Sequence, residues 1–155
     1  MLYVIRAGHR ANAARLFAGL PGASDEFIKN AWPDINKALQ LQPNNKEVSR
    51  VRYLLYLLAE PKDYKKAVAD LDKAIYYDSA NLEVYLPVRA ECFRQLKDYA
   101  RLAEDLTAMM YTLKTEGLLP ERAEAYYNSK NFENAMVDYD SLDRIKGRLY
   151  KDYYE

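Results

Sequence analysis

The stretch DYKKAVADLDKAIYYDSAN, residues 63–81, sets Tyr64, Ala67, Val68, Leu71, Ala74 and Ile75 at spacings i, i+3, i+4, i+7, i+10 and i+11. Such spacing lines up one face of a helix with 3.6 residues per turn. Adding 35 to each number reaches Tyr99, Leu102, Ala103, Leu106, Met109 and Met110. Subtracting 36 reaches Ile28, Ala31, Trp32, Ile35, Ala38 and Leu39. Adding 68 reaches Phe132, Ala135, Met136, Tyr139 and Leu142, with Asp143 the one break in the pattern. The same stripe written four times marks a helical repeat, and each stripe residue is expected in the core, because a repeat buries its apolar face only against its neighbours.

Helices lead up to each stripe. Lys46 to Ala59 carries Val51, Leu54, Leu55 and Leu58 on one face, Leu82 to Leu96 carries Leu86, Ala90 and Phe93, and Pro120 to Ser129 makes a shorter one. Asp63, Asp98 and Asn131 each stand just before the aromatic that opens a stripe. Short polar oxygens there satisfy the free amides of a helix start, so all three are expected N-caps. Ser24 is the expected cap of the helix holding Ile28, and Pro33 is expected to kink or split that helix. Pro87 is tolerable only in or near a first turn. At the front, Leu2 to Leu20 reads as a helix ended by Leu20, Pro21 and Gly22; at the back, Ile145, Leu149 and Tyr153 extend the last stripe, as one long helix or as a separate one from Gly147. Lys146, Arg148, Lys151, Asp152 and Glu155 give that end a polar outer face.

The resulting fold class is all-α, a right-handed α-solenoid of antiparallel helix pairs with seven or eight helices and no strand. One domain spans 1–155, with units at about 12–45, 48–81, 83–114 and 116–143 and a capping helix at 144–155. A chain of 155 residues is long enough to bury roughly 70% of its unfolded surface.

Lys plus Arg and Asp plus Glu are balanced at 23 each, so no net field favours nucleic acid or an anionic membrane. No run is long and apolar enough for membrane insertion, and the opening MLYVIRAGHR lacks a secretory cleavage pattern, so the default expectation is a cytoplasmic chain or a domain of a longer one. Cys92 has no second cysteine to pair with and is expected as core packing.

Paired helices with a period near 34, an aromatic opening the second helix and a small residue at its third step resemble tetratricopeptide repeats. The likeness is best from Val48 to Asn81, where Tyr64, Ala67, Leu71 and Ala74 match the family's aromatic, small, large and small places. It continues in Ala90, Phe93, Tyr99 and Leu106, and again in Ala123, Tyr126, Phe132, Ala135 and Tyr139. Leu102 and Met109 depart from the alanines of the family, as Leu55 and Val51 depart from its small residue and tryptophan. The first copy is clear only in ALQLQPNN, residues 38–45. The resemblance implies non-catalytic binding of a protein or peptide segment in a groove lined by the leading helices. The places that would face it are Ser49, Arg52, Tyr53, Tyr56 and Glu60, then Val84, Val88, Glu91, Arg94 and Gln95, then Glu121, Glu124, Tyr127 and Asn128. For Tyr53 and Tyr56, packing between adjacent helices is an equal reading. Relatives that clamp a peptide's terminal carboxylate use lysines, asparagines and an arginine; Arg52 stands alone among apolar and acidic neighbours, which disfavours that ligand.

Nothing in the sequence asks for a cofactor or metal. His9 has no second imidazole, and Asp138, Asp140 and Asp143 lie on a helical stripe without the glycine and terminal glutamate of a calcium loop. There is no phosphate-cradling glycine loop and no nucleophile elbow. Two alternatives stay open: a small enzyme using paired carboxylates such as Glu91 and Glu124, and an artificial scaffold with no evolved partner. The 15 tyrosines in a repeat frame suit the second, while prolines inside helices argue against it.

Overall fold

A computed structural model describes residues 1–16 and 23–154, leaving out the side chains of 23, 24 and 148–154. The expected break at Leu20 to Gly22, the Ser24 cap and the outer face of Arg148, Lys151, Asp152 and Glu155 therefore lie outside the described residues, as do the side chains of Leu149 and Tyr153. Every described element is helical: α1 (Leu2–Leu16), α2 (Ala23–Leu41), α3 (Lys46–Leu58), α4 (Tyr64–Tyr77), a 3-10 turn (Ser79–Asn81), α5 (Leu82–Leu96), α6 (Tyr99–Leu113), α7 (Leu119–Asn128) and α8 (Phe132–Tyr154). These form two compact units, Met1–Tyr85 and a second beginning at Leu86.

In the first unit α1 packs on α2 and α3 on α4, with α3 also touching α1 and α2. The short turn between α3 and α4 makes that pair antiparallel. Ile28, Ala31, Ile35 and Ala38 of α2 are buried, and so are Ala67, Val68, Leu71 and Ala74 of α4. Val4, Ala7, Ala11 and Ala14 of α1 are also buried, so the first pair begins at Leu2, upstream of the expected residue 12. α2 runs through Pro33 without splitting. Proline costs an interior helix about 3 kcal/mol, and the in-phase stripe packed against α1 and α3 outweighs it. Pro87 is the sixth residue of α5, just past the first turn.

In the second unit α7 packs on α6 and on α8. Leu102, Ala103, Leu106, Ala123 and Ala135 are buried, together with Phe93 and Cys92. α8 is one helix of 23 residues passing straight through Gly147, which removes the separate terminal helix. Phe132, Met136 and Tyr139 are exposed, contrary to their expected place in a core. Among the described elements their helix packs on α7, where Phe132 meets the ring of Tyr127, while Met136 and Tyr139 stay exposed.

All three expected caps are present. The side chains of Asp63, Asp98 and Asn131 accept from the amides of Lys66 (3.0 Å), Arg101 (3.3 Å) and Asn134 (3.4 Å). Lys97 and Lys130, immediately before two of these caps, hold left-handed backbone with φ of 56° and 64°. There the amides of Asp98 and Asn131 reach back to the carbonyls of Phe93 and Tyr126 at 2.9 Å each, closing the preceding helix.

Leu71 is fully buried and Leu106 is 1% exposed. Each truncation to alanine should cost about 2–5 kcal/mol in denaturant melts, against less than about 0.5 kcal/mol for a surface site. Lys130→Gly should instead raise stability by about 0.5 kcal/mol, because glycine adopts positive φ without the side-chain clash.

Candidate binding sites

The most regular feature of the structure is a set of four buried aspartates. Asp34, Asp70, Asp105 and Asp138 are between 1% and 3% exposed, and each sits one residue before the large member of its stripe: Ile35, Leu71, Leu106 and Tyr139. Each meets a guanidinium from the leading helix of its pair. Arg52 grips Asp70 through Nε and Nη2, both at 2.7 Å. Arg89 holds Asp105 at 3.1 and 2.6 Å, and Arg122 holds Asp138 at 2.8 and 2.7 Å. Asp34 takes the same fork from Arg6 and a further bond from Arg10, which also donates to the Asn30 carbonyl. The planar fork of arginine matches both carboxylate oxygens, which lysine cannot do. The Arg6 hydrogen bond holds Asp34 below the usual carboxylate range against the opposing effect of burial. The hydrogen bonds that Arg52 and Arg122 donate to their aspartates likewise raise both above the ordinary guanidinium value.

A stripe of apolar residues does not show these pairs, because the aspartate beside each large residue is polar. The signal was available: an aspartate recurs at offsets of 36, 35 and 33 beside each large stripe residue. Arg122 occupies both oxygens of Asp138, the first of the three aspartates Asp138, Asp140 and Asp143 on the last helix. No group of three or more His, Cys, Asp or Glu among the described residues is placed to hold a metal ion.

The residues expected to line a groove divide into several environments. Tyr53 is 5% exposed, sits edge-on to Tyr85 at 6.3 Å, and has its hydroxyl pushed up by burial. It is a core residue. Tyr56 is half-buried against Trp32, with Arg52 and Lys66 over its ring. Below Tyr85, Arg50 joins Glu47, Asp78 and the Tyr85 hydroxyl in one network, and Asp78 is held low first by its bond from Asn81.

Ser49 and Arg52 line a cleft of about 370 Å³ in the first unit, with Asn44, Asn45, Lys46, Lys73 and Tyr77. Arg52 is therefore not the solitary cation that the leading helix suggests. Lys46 stands at the first position of α3 and Lys73 comes from α4, the second helix of the pair, outside the leading-helix places.

In the second unit Arg94, Glu121, Glu124 and Asn128 line a cleft of about 210 Å³ with Tyr99, Leu102 and Ala125. Arg94 is held by Glu91 and Glu121, and Gln95 donates to Glu91 at 2.8 Å. Of the suggested carboxylates, Glu91 is engaged by Arg94 and Gln95, and Glu124 lines the cleft. Tyr127 is 57% exposed and packs edge-on to Phe132 at 5.5 Å. His9 is exposed, and Cys92 is fully buried, its thiol pushed up to about 11 by desolvation. No described helix is long and apolar enough to cross a membrane.

Set against protein-family models, curated proteins and solved structures, the chain matches none of them.

Breaking one fork strands a buried charge. Arg122→Met should cost about 3 kcal/mol in urea melts, whereas adding Asp138→Leu should recover more than half of it, because the stranded carboxylate is then gone. Stability should also fall in acid. Asp34, Asp63, Asp78 and Asp98 all have lowered folded pKa values. Their contribution is complete above the unfolded value of about 3.9 and is lost as pH falls through the lower folded values. Thermal melts from pH 7 to pH 2 should therefore stay level to about pH 4 and drop below it.

Proposed function

We propose that the chain is a tetratricopeptide-like repeat protein that binds a protein or peptide segment without catalysing a reaction on it. The observation that carries this reading is the cleft of the second unit, where leading helices α5 and α7 supply Arg94, Glu121, Glu124 and Asn128 over a floor of Tyr99, Leu102 and Ala125. Polar groups over an apolar floor suit an extended segment that buries a side-chain stem and presents a polar end.

Charge narrows the class of ligand. Glu91 and Glu121 already neutralise Arg94, leaving Glu124 as the carboxylate without an ion pair and Asn128 as an amide beside it. A lysine or arginine of the partner fits this arrangement, its methylenes on Leu102 and Tyr99 and its charge at Glu124. Tyr127 stands exposed at the end of α7 with its ring already braced by Phe132, so contact there costs little ordering entropy. Arg52 makes a poor probe of binding, because its removal strands Asp70 and confounds recognition with stability.

Selection of binders from a random peptide library on the intact chain should enrich a basic residue next to an apolar one. Glu124→Ala with Asn128→Ala should weaken the selected peptides about tenfold while leaving the melting curve in place. Peptides that bind this variant as well as wild type, or a selection without enrichment, would remove the second-unit cleft as the binding site.

A further inference from the structure

We infer that the cleft at the head of α3 is an anion site for a phosphomonoester group, carried either by a small molecule or by a phosphorylated residue of another chain. This is independent of the peptide site in the second unit.

Three observations bear on it. The first is charge. Lys46, Arg52 and Lys73 line the cleft and no carboxylate does, in a chain whose charges otherwise balance. The carboxylates around it are already engaged: Asp70 by Arg52, Glu47 by Arg50, and Asp78 by Arg50, Asn81 and Tyr85. Asp70 neutralises Arg52, and Arg50 is shared between Glu47 and Asp78, which also feels Lys46. Lys46 and Lys73 are the cations of the wall without an ion pair to a described residue.

The second is Ser49. It is 6% exposed and lines the cleft, yet its hydroxyl makes no hydrogen bond to any described residue. Other helical hydroxyls here satisfy themselves on the preceding turn, as Thr107 does on Ala103, Thr112 on Ala108 and Ser141 on Val137, all at 2.8 Å. The residue is more than nine-tenths buried while its hydroxyl oxygen stays open to the cleft, a donor free to meet an acceptor there.

The third is the match in valence. A phosphomonoester carries about −1.5 to −2 charges at neutral pH and three acceptor oxygens. Two ammonium groups, one hydroxyl and the Asn44 amide offer donors for those three oxygens. Tyr77, half-exposed at the rim, offers a ring face to whatever bears the phosphate.

The test uses the full chain and amide chemical shifts, titrated with inorganic phosphate, with a phosphoserine peptide and with the same peptide unphosphorylated. Saturable shifts at Lys46, Ser49 and Lys73 are expected with phosphate and with the phosphopeptide but not with the serine peptide. Lys46→Gln with Lys73→Gln should weaken both at least about tenfold, and Ser49→Ala about threefold, with unchanged circular dichroism. Affinity should rise between pH 5 and pH 7.5 as the second phosphate proton, with a pKa of about 6, leaves. A phosphopeptide at least about tenfold tighter than phosphate places the group on a protein; equal affinity places it on a small molecule. Acetate producing the same saturable shifts would overturn the dianion assignment. Absence of saturation, or a double lysine variant that binds like wild type, would overturn the site.

Discussion

A carboxylate taken out of water and held by a guanidinium is the interaction on which each helix pair depends. Apolar stripes supply the larger free energy, but they are nearly alike along the chain, and the hydrophobic effect is without direction. Sliding one helix of a pair by a turn would trade one set of alanines and leucines for another at modest cost. The fork removes that freedom. A displacement of a few ångströms would leave Asp70 or Asp138 buried without its partner, at a cost of several kcal/mol. The pair thus contributes to register more than to net stability.

Much of the fold was legible. The stripes predicted α2, α4 and α6 to within a residue or two at most ends, and the three short polar residues before the aromatics became N-caps as chemistry requires. What the periodicity could not show was where a stripe is left exposed. Phe132, Met136 and Tyr139 repeat the pattern faithfully, yet among the described elements it is α7 that lies against their helix, and the same letters stand exposed. Pattern specifies which face is apolar; the neighbour specifies whether that face is covered. Pro33 failed as a helix breaker for the complementary reason, because the partners of α2 were all in place.

The candidate sites were legible only in part. Arg94, Glu124 and Asn128, expected together from their equivalent places, do share a cleft in the second unit. Tyr53, which has the same claim by position, points into the core, where Tyr85 takes the edge of its ring. Position on a leading helix does not separate these outcomes. The cationic cleft of the first unit escaped the sequence because it is assembled from a turn, the head of α3 and the far end of α4, segments without a common period.

One last feature gives the molecule a built-in clock. Cys92 is the sole cysteine of the chain, fully buried, and its thiol is held protonated far above neutral pH. An alkylating reagent needs the thiolate and needs access. Both arrive together only when the surroundings of α5 open. The pace at which the intact protein takes up one label therefore measures the opening of the structure around Cys92.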